Sequence, residues 1–391
     1  MRKVVLKPGR EKSLLTNRHP WIFSGAVEQF PSMEHGEVVA VVSHEGKFLA
    51  QAYFHTTNSL AGRVLSFDSG MSLGQIIESS LQKAYALRQR FIDFSQTDCY
   101  RLVNAEADGL PGLIVDCYKD VFVIQVNTCG MERLKSLLVE KLISLFHPRC
   151  IYEKSNSSAR VQEGLPLFEG YLYGEKVEEV QVKENSIFFS ISLQESQKTG
   201  FFLDQREMRS FIGRHAKGQR VLNCFAYTGG FSLYALCGGA SFVESVDVSR
   251  SACEQSLKNT EINSIDKALH KITKADVIDY LKKQKELDFS LIILDPPAFA
   301  KQRKDVRAAS ISYKNLNREV YKKAKPGTLL LTSSCSYFMD RDLFEQILFQ
   351  AASEEKREVK ILSRHLSAFD HPRSLYHPEG DYLKSLLLYI D

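Results

Sequence analysis

The sequence predicts a multidomain α/β protein: a β-rich module over residues 1–71, an α+β middle segment over 72–192, and a domain over 193–391 built on a mostly parallel sheet with helices on both faces. Three observations carry that expectation. Runs of β-branched and aromatic residues dominate the start of the chain, the apolar spacing turns helical from Ser72, and strand-like and helix-like segments alternate from Arg220 onward. At 391 residues the chain is long enough for two or three domains, each with its own core.

In the first module, Val38–Val42 and Lys47–Phe54 read as strands joined by a turn containing Gly46, and Leu60–Phe67 reads as a third. Ahead of them stands Arg18-His19-Pro20-Trp21-Ile22-Phe23-Ser24-Gly25-Ala26, with the chain's one tryptophan. The plain reading makes Trp21 a core residue and His19 structural. From Ser72, the residues Leu73, Ile76, Ile77, Leu81, Ala84 and Leu87 fall at helical intervals and end near Phe91. Strands then follow at Tyr100–Asn104, Leu113–Tyr118 and Val121–Asn127, a helix at Glu132–Phe146 and a strand at Cys150–Lys154. Nothing in this middle segment reads as a reaction centre, and a spacer or RNA-contacting platform is the reading it supports.

Two further strand-like runs near Val177–Ile191 lead into Gln197-Lys198-Thr199-Gly200-Phe201-Phe202-Leu203-Asp204-Gln205-Arg206. Phe201 and Phe202 offer aromatic surfaces to a ligand, and Lys198 and Arg206 offer cationic bonds. A linker or core role for the phenylalanines is the alternative. Next, Val221-Leu222-Asn223-Cys224 runs into Phe225-Ala226-Tyr227-Thr228-Gly229-Gly230-Phe231-Ser232, a buried strand that breaks at two glycines and restarts as helix. Such a junction leaves backbone N–H groups facing a crevice where a nucleotide-like ligand can approach; a tight turn with no ligand is the bland alternative. A second strand ends at Asp247, placed to accept bonds from ribose hydroxyls. A third ends at Lys274-Ala275-Asp276, and Phe289–Asp295 is an apolar strand running into Pro296-Pro297. Gly229, Asp247, Asp276 and Asp295 all fall at strand carboxyl ends.

Composition narrows the classes. The 44% apolar and 25% charged residues suit a globular protein, and no uninterrupted apolar run reaches membrane length. The amino terminus lacks the features of a secretory signal, so a cytoplasmic location is expected. Eight scattered cysteines, with no Cys-x-x-Cys and no Cys/His cluster, suggest neither a metal site nor a disulfide framework. A net charge of +4 decides little, but nine basic residues against two acids between Pro296 and Lys325 do more. That run reads either as a solvated helix face or as a surface that tracks phosphates.

No Gly-x-Gly-x-x-Gly occurs, and the acids at successive strand ends with Asp295-Pro296-Pro297 resemble the class I S-adenosylmethionine-dependent methyltransferases instead. By that resemblance the C-terminal domain is Rossmann-like with a seven-stranded sheet. Asp247 would bind the ribose, Asp276 would sit near the adenine amine, and Asp295 would lie between donor and target, with Val248, Ser249 and Pro296 also in the cofactor-binding set. The Arg18–Ala26 stretch resembles the opening of PUA-type RNA-binding modules. After the basic run, Gly327–Ser334 is an apolar strand ending at Cys335, flanked by Ser334 and Ser336. A cysteine there would project toward the same crevice as Asp295.

With Ser334-Cys335-Ser336, His371-Pro372 and Pro378-Glu379-Gly380 added, the whole chain resembles the RlmI-like ribosomal RNA cytosine-C5 methyltransferases. The resemblance implies S-adenosylmethionine as cofactor and S-adenosylhomocysteine as product. It adds Gln197, Lys198, Thr199, Phe201, Asp204, Arg206, Asn223, Phe225, Tyr227, Thr228 and Gly229 to the cofactor-binding set, with Cys335 and Asp295 catalytic. Large-subunit ribosomal RNA or its precursor would be the partner, with no membrane and room for a homodimer. Carbon 5 of cytosine is a poor nucleophile, and a thiolate added at carbon 6 makes it enamine-like, which is the task assigned to Cys335. Two-cysteine enzymes of this chemistry carry a second cysteine beside Asp-Pro-Pro; here Ala298 and Phe299 stand there, so the base that removes the proton is unassigned. The alternatives are methylation of a guanine or adenine nitrogen in RNA, and a non-catalytic RNA-binding assembly factor.

Overall fold

A computed structural model describes residues 1–365 and 367–391 of the protein. The chain divides into two compact units. The first comprises Met1–Lys183, Ile191–Leu203 and Phe369–Gly380, the second Glu184–Ser190, Asp204–Ala368 and Asp381–Asp391.

The first unit holds two sheets. The six-stranded one orders its strands Trp21–Phe23, Leu60–Ser66, Phe48–Phe54, Val38–Val42, Lys3–Leu6 and Val27–Gln29. Three of these six were expected from the sequence. The others are only three or four residues long, too short for a run of propensity to mark. The five-stranded sheet orders Phe168–Gly174, Cys150–Ser155, Val121–Val126, Leu113–Tyr118 and Cys99–Asn104. Helix Leu73–Phe91 starts as the sequence suggests: the Ser72 hydroxyl accepts from the Gln75 N–H while the Gln75 side chain accepts from the Ser72 N–H. Its buried face is Ile76, Ile77, Leu81, Ala84 and Arg88. Arg88 is fully buried, forks onto Asp108 at 2.7 and 2.8 Å, and donates to the Asp370 carbonyl at 2.8 Å. The Arg101 N–H donates to the Asp370 carboxylate at 2.9 Å. Trp21 is half-buried rather than core, its indole N–H donating to Glu106 at 2.9 Å and its ring 4.4 Å from that of His377.

The second unit is a seven-stranded sheet. In chain order its strands are β1 (Arg220–Cys224), β2 (Phe242–Asp247), β3 (His270–Lys274), β4 (Leu291–Leu294), β5 (Thr328–Ser334), β6 (Val359–His365) and β7 (Lys384–Ile390). Spatially they run β3-β2-β1-β4-β5-β7-β6, with only β7 antiparallel to its neighbours. The helices are α1 (Arg206–His215), α2 (Gly230–Cys237), α3 (Arg250–Ile262), α4 (Val277–Lys283), α5 (Val306–Lys323) and α6 (Arg341–Glu354).

Strand alternation feeds two cores, one on each face. Leu222, Cys224, Ile292, Leu294 and Leu330 pack with residues of α4, α5 and α6, while Val221, Ile293, Leu331 and Leu387 pack with residues of α1 and α2. Each fully buried Leu or Ile contributes roughly 1.5–3 kcal/mol. The central strands β1, β4 and β5 are therefore near-continuous buried runs, and the carboxyl ends of β1 to β6 lie along one edge. The strand order reverses between β1 and β4, the switch point at which ligands bind in such sheets.

Candidate active site

Part of the expected cofactor segment belongs to the first unit. Thr199 is buried and donates its hydroxyl to Asp116 at 2.5 Å, and Asp116 is itself buried and forked by Arg101 at 2.8 and 2.9 Å. The Phe201 N–H donates to the Tyr118 hydroxyl at 2.9 Å. Just upstream, Lys154 is 2% exposed and its amine donates to the carbonyls of Leu193, Gln194 and Ser196 at 2.6, 3.0 and 2.6 Å. Gly200, at φ +143°, has no room for a side chain, since a Cβ would stand 2.8 Å from the Tyr118 hydroxyl. Thr199 and Phe201 are thus anchors. Gln197 and Lys198 are exposed, with the Lys198 amine 4.7 Å above the Phe202 ring.

In the second unit the chain leaves β1 through a contorted loop. Phe225, Tyr227 and Gly229 have φ of +60°, +47° and +83°. Two non-glycine residues held there cost on the order of 1–3 kcal/mol each, so their surroundings must over-determine them. Asp247, at the end of β2, does part of that: it accepts from the Tyr227 N–H on one oxygen and the Ser249 N–H on the other, both at 2.8 Å. Asn259 of α3 does more. It is fully buried, donates to the Thr228 carbonyl at 3.0 Å and accepts the Ser190 N–H at 2.9 Å. Gly229 packs against α3 so closely that a Cβ would come 2.4 Å from the Ser256 hydroxyl. Beneath the loop a buried polar chain runs from Asn223 to Ser232 (2.8 Å), Ser245 (2.6 Å), His270 (2.7 Å) and Thr260 (2.7 Å). Burial lowers the His270 pKa to about 4, so the ring is neutral at physiological pH.

Val248 is largely exposed, and Ser249 caps α3. Asp276 is exposed and caps α4, accepting the Asp279 N–H at 3.0 Å. Asp204 accepts the Tyr382 hydroxyl at 2.6 Å. Arg206, read from the sequence as a cation for a ligand, is buried with its Nε 3.3 Å from Glu184. The same carboxylate takes a fork from Arg209 at 2.8 and 2.7 Å and the Tyr234 hydroxyl at 3.0 Å.

Beyond β4, Gln205 directs its Nε2 at both carboxylate oxygens of Asp295, 3.1 Å from each. Past β5, the half-buried Cys335 thiol donates to the Pro296 carbonyl at 3.7 Å, so thiol and Asp-Pro-Pro loop meet. The flanking serines fix the turn. Ser334 donates to the Tyr313 hydroxyl at 3.0 Å, and the Ser336 hydroxyl is bonded both to Tyr313 at 3.1 Å and to the Ala300 N–H at 3.2 Å.

A family model for S-adenosylmethionine-dependent methyltransferases matches residues 168–372, and a model of a PUA-like domain matches residues 4–67. The ribosomal RNA large subunit methyltransferase I of Tolumonas auensis is 41% identical over 391 residues, covering 98% of each chain. That of Aliivibrio fischeri is 39% identical over 386 residues, covering 97% of each. The chain belongs to this methyltransferase family. Among solved structures, SMU.776, described as a methyltransferase and complexed with S-adenosylhomocysteine, superposes with a TM-score of 0.85 at 26% identity, each chain fully covered. The protein is thus an S-adenosylmethionine-dependent methyltransferase with an N-terminal PUA-like domain.

Sequence reasoning missed three residues that shape this site: Gln205, Asn259 and Tyr313. Gln205 lay between two named candidates and was passed over, whereas Asn259 and Tyr313 carry no signal in a helical pattern until the sheet buries them. The basic run divides. Lys314 and Arg318 pair with Glu354 at 2.6 and 3.2 Å, Lys323 with Glu319 at 2.8 Å, and Lys325 with Asp288 at 2.5 Å, so these serve the fold. Lys301, Arg303 and Lys304, ahead of α5, are exposed. Among the described residues no helix is long and apolar enough to cross a membrane.

Proposed function

We propose that the protein transfers a methyl group to carbon 5 of a cytosine in large-subunit ribosomal RNA, with Cys335 as covalent nucleophile. One observation carries this reading: the Cys335 sulfur lies 3.7 Å from the Pro296 carbonyl, at the edge that also carries Asp295. The names of the full-length relatives support the RNA class. On this reading residues 1–71 bind RNA, 72–192 form the middle domain, 193–391 carry the transfer, and the enzyme works in the cytoplasm.

The chain's own residues fit the donor. Each Asp247 oxygen takes one backbone N–H, and a carboxylate has about four lone-pair sites, which leaves acceptors for two ribose hydroxyls. The left-handed Phe225–Gly229 loop and the buried Asn259 shape the wall beside it. S-adenosylmethionine supplies, when bound, a methyl group on a sulfonium and leaves as S-adenosylhomocysteine. The Cys335 thiolate adds to carbon 6 of the base, and the electron pair so released lets carbon 5 take the methyl. A base then removes the carbon-5 proton, and that electron pair expels the Cys335 sulfur from carbon 6. Asp295, oriented by Gln205, sits between donor and target. The base must be unstacked for carbon 6 to be reached.

Transfer to a guanine or adenine nitrogen is the rival. An Asp-Pro-Pro loop serving amino groups uses the following aromatic against the base, but Phe299 packs on Tyr313 with ring centres 4.7 Å apart. Cys335→Ala is expected to abolish methyl transfer from tritiated donor while calorimetry still detects S-adenosylhomocysteine binding. Full activity in that variant would sink the covalent route, and mass spectrometry of the RNA nucleosides distinguishes 5-methylcytidine from N-methylated purines.

A further inference from the structure

β7 opens at Lys384, whose partner in the antiparallel register is Ser334, the residue before Cys335. The side chain is 4% exposed. Its Nζ donates to the Ser336 carbonyl at 2.7 Å and to the Tyr382 carbonyl at 2.8 Å, which ties the amine to the far side of the Ser334-Cys335-Ser336 turn. A buried amine is costly to keep charged unless its surroundings favour the charge, and neutral carbonyls compensate only in part.

Resting on the reading of Cys335 as nucleophile, we propose that Lys384 is a positioning residue whose ammonium charge holds the Cys335 sulfur as the reactive thiolate. Two independent features support this. Two of the three ammonium N–H groups are committed to carbonyls, one of them on the residue that follows Cys335, so the charge is fixed in place rather than swinging into solvent. The other neighbours leave it as the buried cation of the turn: Tyr313 is held neutral because burial raises its pKa, Asp340 begins the α6 cap in solvent, and Arg341 and Asp381 face each other at 3.9 Å in a half-exposed pair. Burial pulls Lys384 down to about 8, against the opposing pull of Asp381, Cys335 and Asp340 and with a smaller push down from Arg341. The amine is therefore an ammonium at neutral pH and loses its proton as pH rises through about 8. The thiol proton leaves to solvent, and the resulting sulfide–ammonium pair has no net charge to desolvate. Lys384 is not the base that takes the carbon-5 proton, because at neutral pH it is already protonated.

The test is the pH profile of iodoacetamide alkylation at Cys335, followed by peptide mass spectrometry so that the other seven cysteines do not interfere. In the wild-type protein the alkylation midpoint is expected below the ordinary thiol value of about 8.5. Lys384→Gln keeps an amide donor for the carbonyls without the charge and should raise the midpoint by about one unit or more, while Lys384→Arg stays near wild type. A Lys384→Gln profile that matches wild type would overturn the inference. Should that variant fail to fold, as judged by thermal unfolding, a wild-type midpoint at the unperturbed value overturns it equally. The nucleophile reading fails separately, through an active Cys335→Ala enzyme, and that result leaves the alkylation profile unchanged.

Discussion

Gln205 presents one amide nitrogen to both oxygens of Asp295, at 3.1 Å each, and so fixes the plane of the carboxylate that precedes Pro296-Pro297. A hydrogen bond to a charged group contributes about 1.5–3 kcal/mol. Gln205→Leu should therefore lower kcat/KM for RNA methylation by about one to two orders of magnitude, with a smaller change in S-adenosylhomocysteine affinity. Equal losses in both, measured by methyl transfer and calorimetry, would mean that Gln205 acts on donor binding alone.

Asp247 holds the Phe225–Gly229 loop and, in the proposed reading, the donor's ribose. Calorimetry should rank donor-product affinity as wild type above Asp247→Asn above Asp247→Ala, with the alanine variant weaker by about tenfold or more. An unchanged affinity in Asp247→Ala would remove this residue from the cofactor site.

Asn259 makes its bonds to Thr228 and Ser190 in full burial. Asn259→Ala strands a carbonyl and an N–H, which costs about 1–3 kcal/mol apiece when neither finds water. The expected result is a lower denaturation midpoint together with weakened donor-product binding. Loss of stability without loss of affinity would show that the loop does not depend on this clamp.

His270 links Ser245 to Thr260, and burial holds its folded pKa near 4, below the roughly 6.5 of an unfolded histidine. The unfolded chain then binds the proton first as pH falls. The His270 contribution is complete above pH ~6.5 and is lost on descent toward pH 4, by about 3 kcal/mol in all. Urea denaturation across that window should show a steeper loss for wild type than for His270→Gln; parallel curves would refute the assignment.

The central parallel strands were legible because strands covered on both faces are apolar almost throughout, and Val221–Cys224 and Leu291–Leu294 are such runs. The acids at their ends were legible for the same reason, since Asp247 and Asp295 interrupt apolar sequence where it meets solvent. Cys335 could be placed by position, but the reason for its flanking serines could not. That reason is Tyr313, 21 and 23 residues away, whose hydroxyl bonds both serine hydroxyls only in the folded sheet. The Glu184 partner of Arg206 was not legible, because only tertiary packing brings the two side chains together. Phe168–Gly174 went unread because its exposed and half-buried residues lack a strand's alternation.

Arg88 and Arg101 each reach for Asp370, a residue that the ribosome adds 282 and 269 steps after them. Their own helix and strand are finished early in synthesis, yet the guanidinium of Arg88, already bonded to Asp108, Arg101 and Ala84, must wait for its last partner until only about twenty residues remain to be made. Truncation near the carboxyl terminus should therefore damage the amino-terminal half of the molecule, and newly made chains should depend on protection from aggregation until translation is almost complete.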